Sequence, residues 1–441
     1  MATMNPQTTV PAGPASEDPR SQAGLNPGEI AVGVIIGRTS EYFDFFVYAI
    51  ASVVVFPKLV FPHLDPVTGT LWSFAIFALA FIARPIGTAI FMTIDRIHGR
   101  GVKLTISLFM LGTSTVAVAF LPGYEQIGSA SIVILCLLRI GQGLALGGTW
   151  DGLAPLLATN VPEKRRGWYA MIPQLGAPLG LMMASALFAY FIARLSPDDF
   201  IGWGWRYPFF VAFAINVVAL FARLRIVVAP EYTHSFESRE LKPEPVVRTL
   251  RAEGINVVVG TFAPLASLAL FHMVTVFPLS WVFIFTVQDV ARFLVIQIVA
   301  AAFGLLAIIA SGPLADRLGR RQLLGASAVA IAAFSGFAPQ LLDGGDVGGA
   351  VFMILGFILL GVSFGQSSGS VASNFSPANR YTASALTSDF AWLFGAGFAP
   401  LVALVLASNF GLIATGAYLL SGAACTLIAL LTSSRLDRAA H

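Results

Sequence analysis

The chain has 441 residues, of which 56% are hydrophobic and 11% charged, and its mean hydropathy is +0.80. These values exclude a soluble globular protein and define an integral membrane protein. The net charge of +3 is too small to suggest a nucleic-acid partner, and the two cysteines, Cys136 and Cys425, lie in apolar runs, excluding a disulfide framework and any cysteine-based metal site.

Residues 1–28 are rich in Pro, Ala and Ser with no apolar core, the composition of a disordered tail and not of a cleavable signal peptide. Beyond them, apolar runs of about 20 residues, the length that crosses a ~30 Å hydrocarbon layer, predict twelve helical spans. They lie near 29–55, 67–91, 103–121, 130–158, 168–194, 204–226, 255–284, 291–314, 322–341, 349–372, 383–407 and 411–432. The expected organisation is a six-helix bundle (29–226), a cytoplasmic linker (227–254), a second six-helix bundle (255–432) and a short tail (433–441). The linker's mixed charges read as a solvated amphipathic face. Of the 26 Lys and Arg residues, 19 fall in the tails and in loops after even-numbered spans, against four (Lys58, Arg194, Arg206, Arg292) on the other side. That asymmetry predicts cytoplasmic termini.

The first span contains Arg38-Thr39-Ser40-Glu41-Tyr42-Phe43-Asp44-Phe45-Phe46-Val47-Tyr48. At about 100° per residue, Arg38, Glu41 and Asp44 step by three along one side of a helix, and Tyr48 follows on the same side. Each mid-membrane charge costs roughly 2.5–3.5 kcal/mol on insertion scales. The row therefore needs partners and a polar cavity to face, while Val34, Phe43, Phe46 and Ile50 form the apolar side. Arg139 in the fourth span needs an acceptor for the same reason, and Glu41 and Asp44 are the nearest anions by topology. In that span, Gly143 and Gly147 are a small-residue pair suited to close helix packing.

The halves repeat each other. Asp95-Arg96-Ile97-His98-Gly99-Arg100 ends span 2 and Asp316-Arg317-Leu318-Gly319-Arg320-Arg321 ends span 8; Gly176-Ala177-Pro178-Leu179 is echoed by Gly397-Phe398-Ala399-Pro400-Leu401. Such a repeat predicts two similar halves with a site at their interface. An Asp with several Arg between helix ends can cap a neighbouring helix and latch the halves together.

The stretch Gly312-Pro313-Leu314-Ala315-Asp316-Arg317-Leu318-Gly319-Arg320-Arg321 resembles the loop signature of the major facilitator superfamily. More narrowly, the chain resembles the bacterial metabolite:proton symporters in Glu41–Phe46, Phe81–Gly87, Arg139–Gly148, Pro173–Gly180, Trp205–Phe209 and Arg380–Thr382. The resemblance implies an all-α fold of two pseudo-symmetric six-helix bundles in the bacterial inner membrane. It also implies proton-coupled symport of organic acids, proline or betaines. By the same resemblance, Asp44 accepts the coupling proton and Arg139 controls it, although spacing alone leaves Glu41 as an alternative carrier. The first loop signature departs from the family: Met92 replaces the opening glycine and Asp95-Arg96 sit one position early. Asp151 is displaced from the family's acidic position in span 4, Asp389 stands where an uncharged residue is usual, and Arg38 replaces a small residue.

These readings give three sets of candidates. Asp44, Glu41 and Arg139 couple protons. Arg38 binds a carboxylate unless Glu41 neutralises it, with Tyr42, Tyr48, Trp150, Gln174, His272, Trp281, Gln366 and Trp392 as further substrate contacts. Asp95, Arg96, Arg100, Asp151, Asp316, Arg317, Arg320 and Asp389 form gates. Span 10, with its polar Gly361–Ser370 segment, suits a bend at a gate or a substrate contact. The expected protein is no enzyme. It is a monomeric symporter for a small carboxylate that needs no cofactor beyond the coupling proton, with a compatible-solute or amino-acid symporter and a non-transporting sensor as the alternatives.

Overall fold

The computed structural model describes residues 27–150, 165–227, 242–367 and 375–439. The described helices make twelve crossings: α1 (Pro27–Val54), α2 (Pro66–His98), α3 (Arg100–Ala119), α4 (Ala130–Gly148), α5 (Arg166–Arg194), α6 (Tyr207–Val227), α7 (Leu265–Phe285), α8 (Val290–Leu318), α9 (Arg320–Ser335), α10 (Gly345–Phe364), α11 (Arg380–Phe410) and α12 (Thr415–Ala439). Ten crossings are long and apolar enough to span a bilayer on composition alone. The exceptions are α1, with Arg38, Glu41 and Asp44 in one run, and α9, with 16 residues. Both depend on neighbours: α1 packs on α5 and α6, and α9 on α12.

In the first bundle α2 packs on α4, and α3 on α4 and α6; in the second, α8 packs on α10 and α7 on α12. The bundles meet where α5 lies against α8, α2 against α11, and α1 against the end of α7. Three helices at this junction are interrupted. In α5 a 3₁₀ turn, Ile172–Leu175, contains Pro173; α7 breaks at Val276 ahead of Pro278; and α11 widens into a π turn, Leu393–Gly397, ahead of Pro400. A proline has no N–H for the helical ladder, so each break falls near one. The breaks in α5 and α11 occupy matching places in the two halves, in line with the repeat.

Gly143 and Gly147 pack as expected. A Cβ at Gly143 would lie 2.4 Å from the Ala80 carbonyl oxygen, and one at Gly147 would lie 2.3 Å from the Thr88 amide nitrogen. Because backbone cannot yield as a side chain can, Gly147→Val is expected to lower stability by about 1–3 kcal/mol, read as a fall in the thermal midpoint of the purified protein.

The linker differs from expectation where it is described. A helix, Val246–Phe262, starts inside it and leads into α7. Just before this helix, the Glu244 N–H donates to Thr382 Oγ1 (2.9 Å) and that hydroxyl donates to the Glu244 carbonyl (3.1 Å). Within it, Glu253 Oε1 accepts from the Ser376 N–H (3.0 Å) and hydroxyl (2.6 Å). The stretch therefore clasps the start of α11 and the turn before it with one side, while Lys242, Arg248 and Arg251 stay exposed. Burial alone would raise the Glu253 carboxyl, but Ser376 and Asn256 hold it below the ordinary glutamate value. With a depressed folded value, the clasp is at full strength above about pH 4.3 and weakens as pH falls through the folded value. Amide protection in Val246–Phe262 is expected to drop on acidification, and Glu253→Gln to remove that dependence.

Candidate functional site

The row on α1 lies along one side of the helix, but that side faces the core of its own bundle. Glu41 sits between two guanidiniums, with Arg38 Nη1 at 2.9 Å and Arg223 Nη1 on α6 at 2.7 Å. The Arg223 side chain passes over Gly37, where a Cβ would lie 2.2 Å from its Nε. Asp44, one turn on, accepts from Asn216 Nδ2 on α6 (3.3 Å), whose Oδ1 accepts from the Ser40 hydroxyl (2.7 Å). Arg38 is therefore committed to Glu41, and the expectation that it binds substrate through a free guanidinium lapses.

Arg139 is fully buried, and it does not pair with Asp44 directly. It donates from Nε to the Phe77 carbonyl (3.2 Å) and from Nη1 to Gln142 Oε1 (3.0 Å), while its guanidinium lies 4.0 Å from the centre of the Tyr48 ring. Gln142 Nε2 donates to Thr115 Oγ1 (3.0 Å), and Thr115 neighbours Asp44. The two charged groups expected to touch are instead joined through two neutral side chains. Tyr48 is a support for Arg139 inside the first bundle and not a wall of the cleft.

The opposite side of α1 meets the second bundle. Phe45 stacks on His272 (centroids 5.3 Å apart) and Phe46 on Phe271 (5.8 Å). Tyr42 packs against Phe364 and Trp392, and Trp392 stacks on Phe81 of α2 (6.3 Å). Phe46, expected on a lipid- or helix-facing side, is thus at the junction, as are Tyr42, His272 and Trp392. His272 Nδ1 lies 3.2 Å from the Thr275 hydroxyl and, among the described residues, Nε2 has no hydrogen-bond partner, although the residue is fully buried. Behind these rings a small cavity is lined by Phe46, Pro178, Leu181, Phe271 and Phe364. Gln174 is buried in the 3₁₀ turn of α5, beside α1. Trp281 lies against Phe285 (4.6 Å), near the end of α7.

At the end of the molecule where the described termini lie, three sets of contacts join the bundles. First, Asp316 accepts from the N–H groups of Gly167 (2.7 Å) and Trp168 (3.2 Å), capping α5 as the loop signature predicts. Gln366, expected as a substrate contact, is placed in this set instead, donating to the Gly167 carbonyl (3.0 Å) and accepting from Arg320 Nε (3.4 Å). Second, Lys103, with only 1% of its side chain exposed, donates to Asp95 (2.9 Å), to the Trp150 carbonyl (2.6 Å) and to the Tyr381 hydroxyl of α11 (2.7 Å). Arg100 lies over the Tyr381 ring at 4.5 Å. The Trp150 carbonyl thus belongs to this latch, while its ring lies 5.9 Å from the Arg38 guanidinium. Third, Arg84 of α2 pairs with Asp389 of α11 (2.7 Å), and Thr88 donates to the same carboxylate.

The irregular first loop signature is rearranged: Asp95 reaches the second bundle through side chains, whereas Asp316 reaches the first through backbone N–H groups. Arg96 and Arg317 are exposed and lie outside the contacts just described. Asp151 lies outside the described residues. Sequence reasoning missed Arg223, Asn216, Lys103, Tyr381 and Arg84. The signal for Arg84 was a charge inside a span, which requires a partner; Arg223 and Lys103 had been counted only as basic flanks. Asp316→Ala is expected to shift the balance toward opening at this end by the 0.5–2 kcal/mol of a lost cap, roughly two- to thirtyfold. Labelling of cysteines placed beneath the latch would read that shift.

The profile of the Major Facilitator Superfamily matches residues 34–400. The chain is 37% identical over 412 residues to the inner membrane metabolite transport protein YhjE of Escherichia coli K12, covering 91% of this chain and 93% of that protein. It is 28% identical to the shikimate transporter of the same organism (86% and 88% covered) and 28% identical to a putative proline/betaine transporter of Staphylococcus haemolyticus (88% and 83% covered). Its structure superposes on the proton:xylose symporter XylE bound to 6-bromo-6-deoxy-D-glucose with a TM-score of 0.70, at 18% identity, covering 93% and 95% of the two chains. The chain belongs to the major facilitator superfamily, and its relatives include bacterial metabolite transport proteins, in line with the motifs. It is a multi-pass membrane transporter of small molecules and not an enzyme.

Proposed function

We propose that the protein couples inward proton flow to uptake of a small organic carboxylate across the bacterial inner membrane, with both termini in the cytoplasm. It works as a monomer by rocking its two bundles, and the proton is its sole coupling species. The observation that carries this reading is the contrast between the two α1 acids. Glu41 is clamped by two guanidiniums and is a fixed charge, whereas Asp44 touches neutral partners and communicates with Arg139 only through Thr115 and Gln142. Asp44 is accordingly the group that gains and loses the proton. Rotation of α1 against α4 changes its distance from Arg139 and hence its hold on that proton. The contacts of Asp316, Lys103 and Asp389 close the cytoplasmic side in the state described, and must part to release substrate there.

A carboxylate substrate is supported by the Arg84 guanidinium at the junction and by the substrate named for the shikimate transporter relative. A betaine or proline is the second reading, favoured by the rings of Tyr42, Phe271, Phe364 and Trp392, since such rings suit a quaternary ammonium. Uptake of radiolabelled shikimate against glycine betaine by proteoliposomes under an imposed pH gradient separates them. Shikimate accumulation alone is the expected result, and betaine accumulation alone would replace this reading with the second.

A further inference from the structure

His272 of α7 is fully buried where the bundles meet. Its ring stacks on Phe45 of α1 and packs edge-on against Phe77 and Phe81 of α2, with centroids 5.5 and 6.1 Å away. Among the described residues no carboxylate pairs with it, and an imidazolium in such apolar surroundings would be costly, so the ring is neutral. A neutral imidazole carries one proton, and the hydrogen bonds of α7 place it. The Thr275 hydroxyl donates its single proton to the Phe271 carbonyl (2.7 Å), so at its 3.2 Å contact with His272 it can only accept. Nδ1 therefore bears the hydrogen. Nε2, the nitrogen farther from the α7 backbone, is left as a lone pair that meets no donor among the described residues.

An acceptor buried without a donor is destabilising, and its position at the junction points to a ligand that supplies one. The groups that fix it travel together: Phe271, His272 and Thr275 share α7, and Gln297 of α8 donates to the Thr275 carbonyl (2.6 Å), all within the second bundle. Phe45, Phe77 and Phe81 belong to the first bundle and move off the ring when the bundles part. Opening thus uncovers Nε2 with its tautomer intact. A carboxylate has only acceptors to offer it, and a quaternary ammonium has no N–H. An amine would make the substrate a zwitterion; on a simple carboxylate the donor is a hydroxyl.

We infer that His272 Nε2 accepts a hydrogen bond from a hydroxyl on the body of the substrate, which makes that substrate a hydroxylated carboxylate. This deepens the proposed function and rests on its carboxylate reading. The test is calorimetric titration of the purified full-length protein with shikimate, with cyclohex-1-ene-1-carboxylate, which is the same ring without hydroxyls, and with L-proline and glycine betaine. Wild-type protein is expected to prefer shikimate to the deoxygenated ring by about fivefold or more, the cost of leaving the acceptor unmet. His272→Phe keeps a flat ring among rings and removes the acceptor. It is expected to bring shikimate down to the level of the deoxygenated ring while leaving binding of the latter unchanged. His272→Gln, whose amide oxygen can accept, is expected to restore part of the preference. A role in packing alone would give the opposite order, with the preference kept by Phe and lost by Gln.

The tautomer is checked on the wild-type protein, by solid-state 15N spectra of histidine-labelled samples in liposomes, with His272→Gln assigning the resonance. Protonated Nδ1 and bare Nε2 are the expected result, and a proton on Nε2 overturns the inference. Equal binding of shikimate and the deoxygenated ring by wild type, or a preference undiminished in His272→Phe, also overturns it and leaves the carboxylate reading standing. A wild-type protein that binds proline or betaine and neither carboxylate, or none of the four compounds, overturns both.

Discussion

Asparagine in place of Asp44 is expected to abolish accumulation driven by a pH gradient while leaving substrate exchange across the membrane measurable. The replacement keeps the shape of the side chain and can still accept from Asn216 Nδ2, so the packing of α1 on α6 survives. What it removes is a site for the proton. With an imposed step of about 2 pH units, one coupled proton supports roughly 100-fold accumulation, each unit being worth about 1.36 kcal/mol. The variant should instead equilibrate the substrate with no accumulation, and its exchange of internal for external label should continue. Full accumulation by the variant would show that the proton is carried elsewhere.

Glutamine in place of Glu41 is expected to damage the fold before it damages coupling. Arg223 has 2% of its side chain exposed and Arg38 has 22%, and Glu41 is the carboxylate between them. Removing one member of a buried ion pair leaves an uncompensated charge and costs about 3–5 kcal/mol, which should appear as a large drop in the thermal midpoint. Combining Glu41→Gln with Arg223→Leu should recover much of that loss, because the more deeply buried stranded charge goes with the substitution and Arg38 can reach water. A single variant as stable as wild type would show that the cluster contributes no more than helix packing.

Much of this architecture was legible in the sequence, because the bilayer constrains it so tightly. Span length, the scarcity of charge and the repeated loop signature led to twelve helices in two halves, and Asp316 caps α5 in the way its motif implied. Periodicity also placed Arg38, Glu41, Asp44 and Tyr48 on one side of α1. It could not say which neighbour that side meets. A charged row inside a membrane is satisfied equally by a wet cleft or by guanidiniums on an adjacent helix, and only the position of Arg223 decides between them.

The same limit explains Trp150, Gln366 and Lys103. Residues at the ends of spans look alike in sequence whether they face the cleft, the latch or lipid headgroups. Lys103 in particular follows a loop whose basic residues were accounted for by topology, yet its ammonium is the hub joining Asp95, the Trp150 carbonyl and Tyr381. The irregular spacing around Met92 did carry information, since that is the half in which side chains replace backbone N–H groups as the latch.

The most direct measurement of the coupling proposed for Asp44 is proton movement caused by substrate. Proteoliposomes containing a pH-sensitive dye, with no imposed gradient, would receive external shikimate. Wild-type protein should acidify the lumen as shikimate enters, and the Asp44→Asn variant, with exchange intact, should leave lumenal pH unchanged. Equal acidification by both would contradict the account.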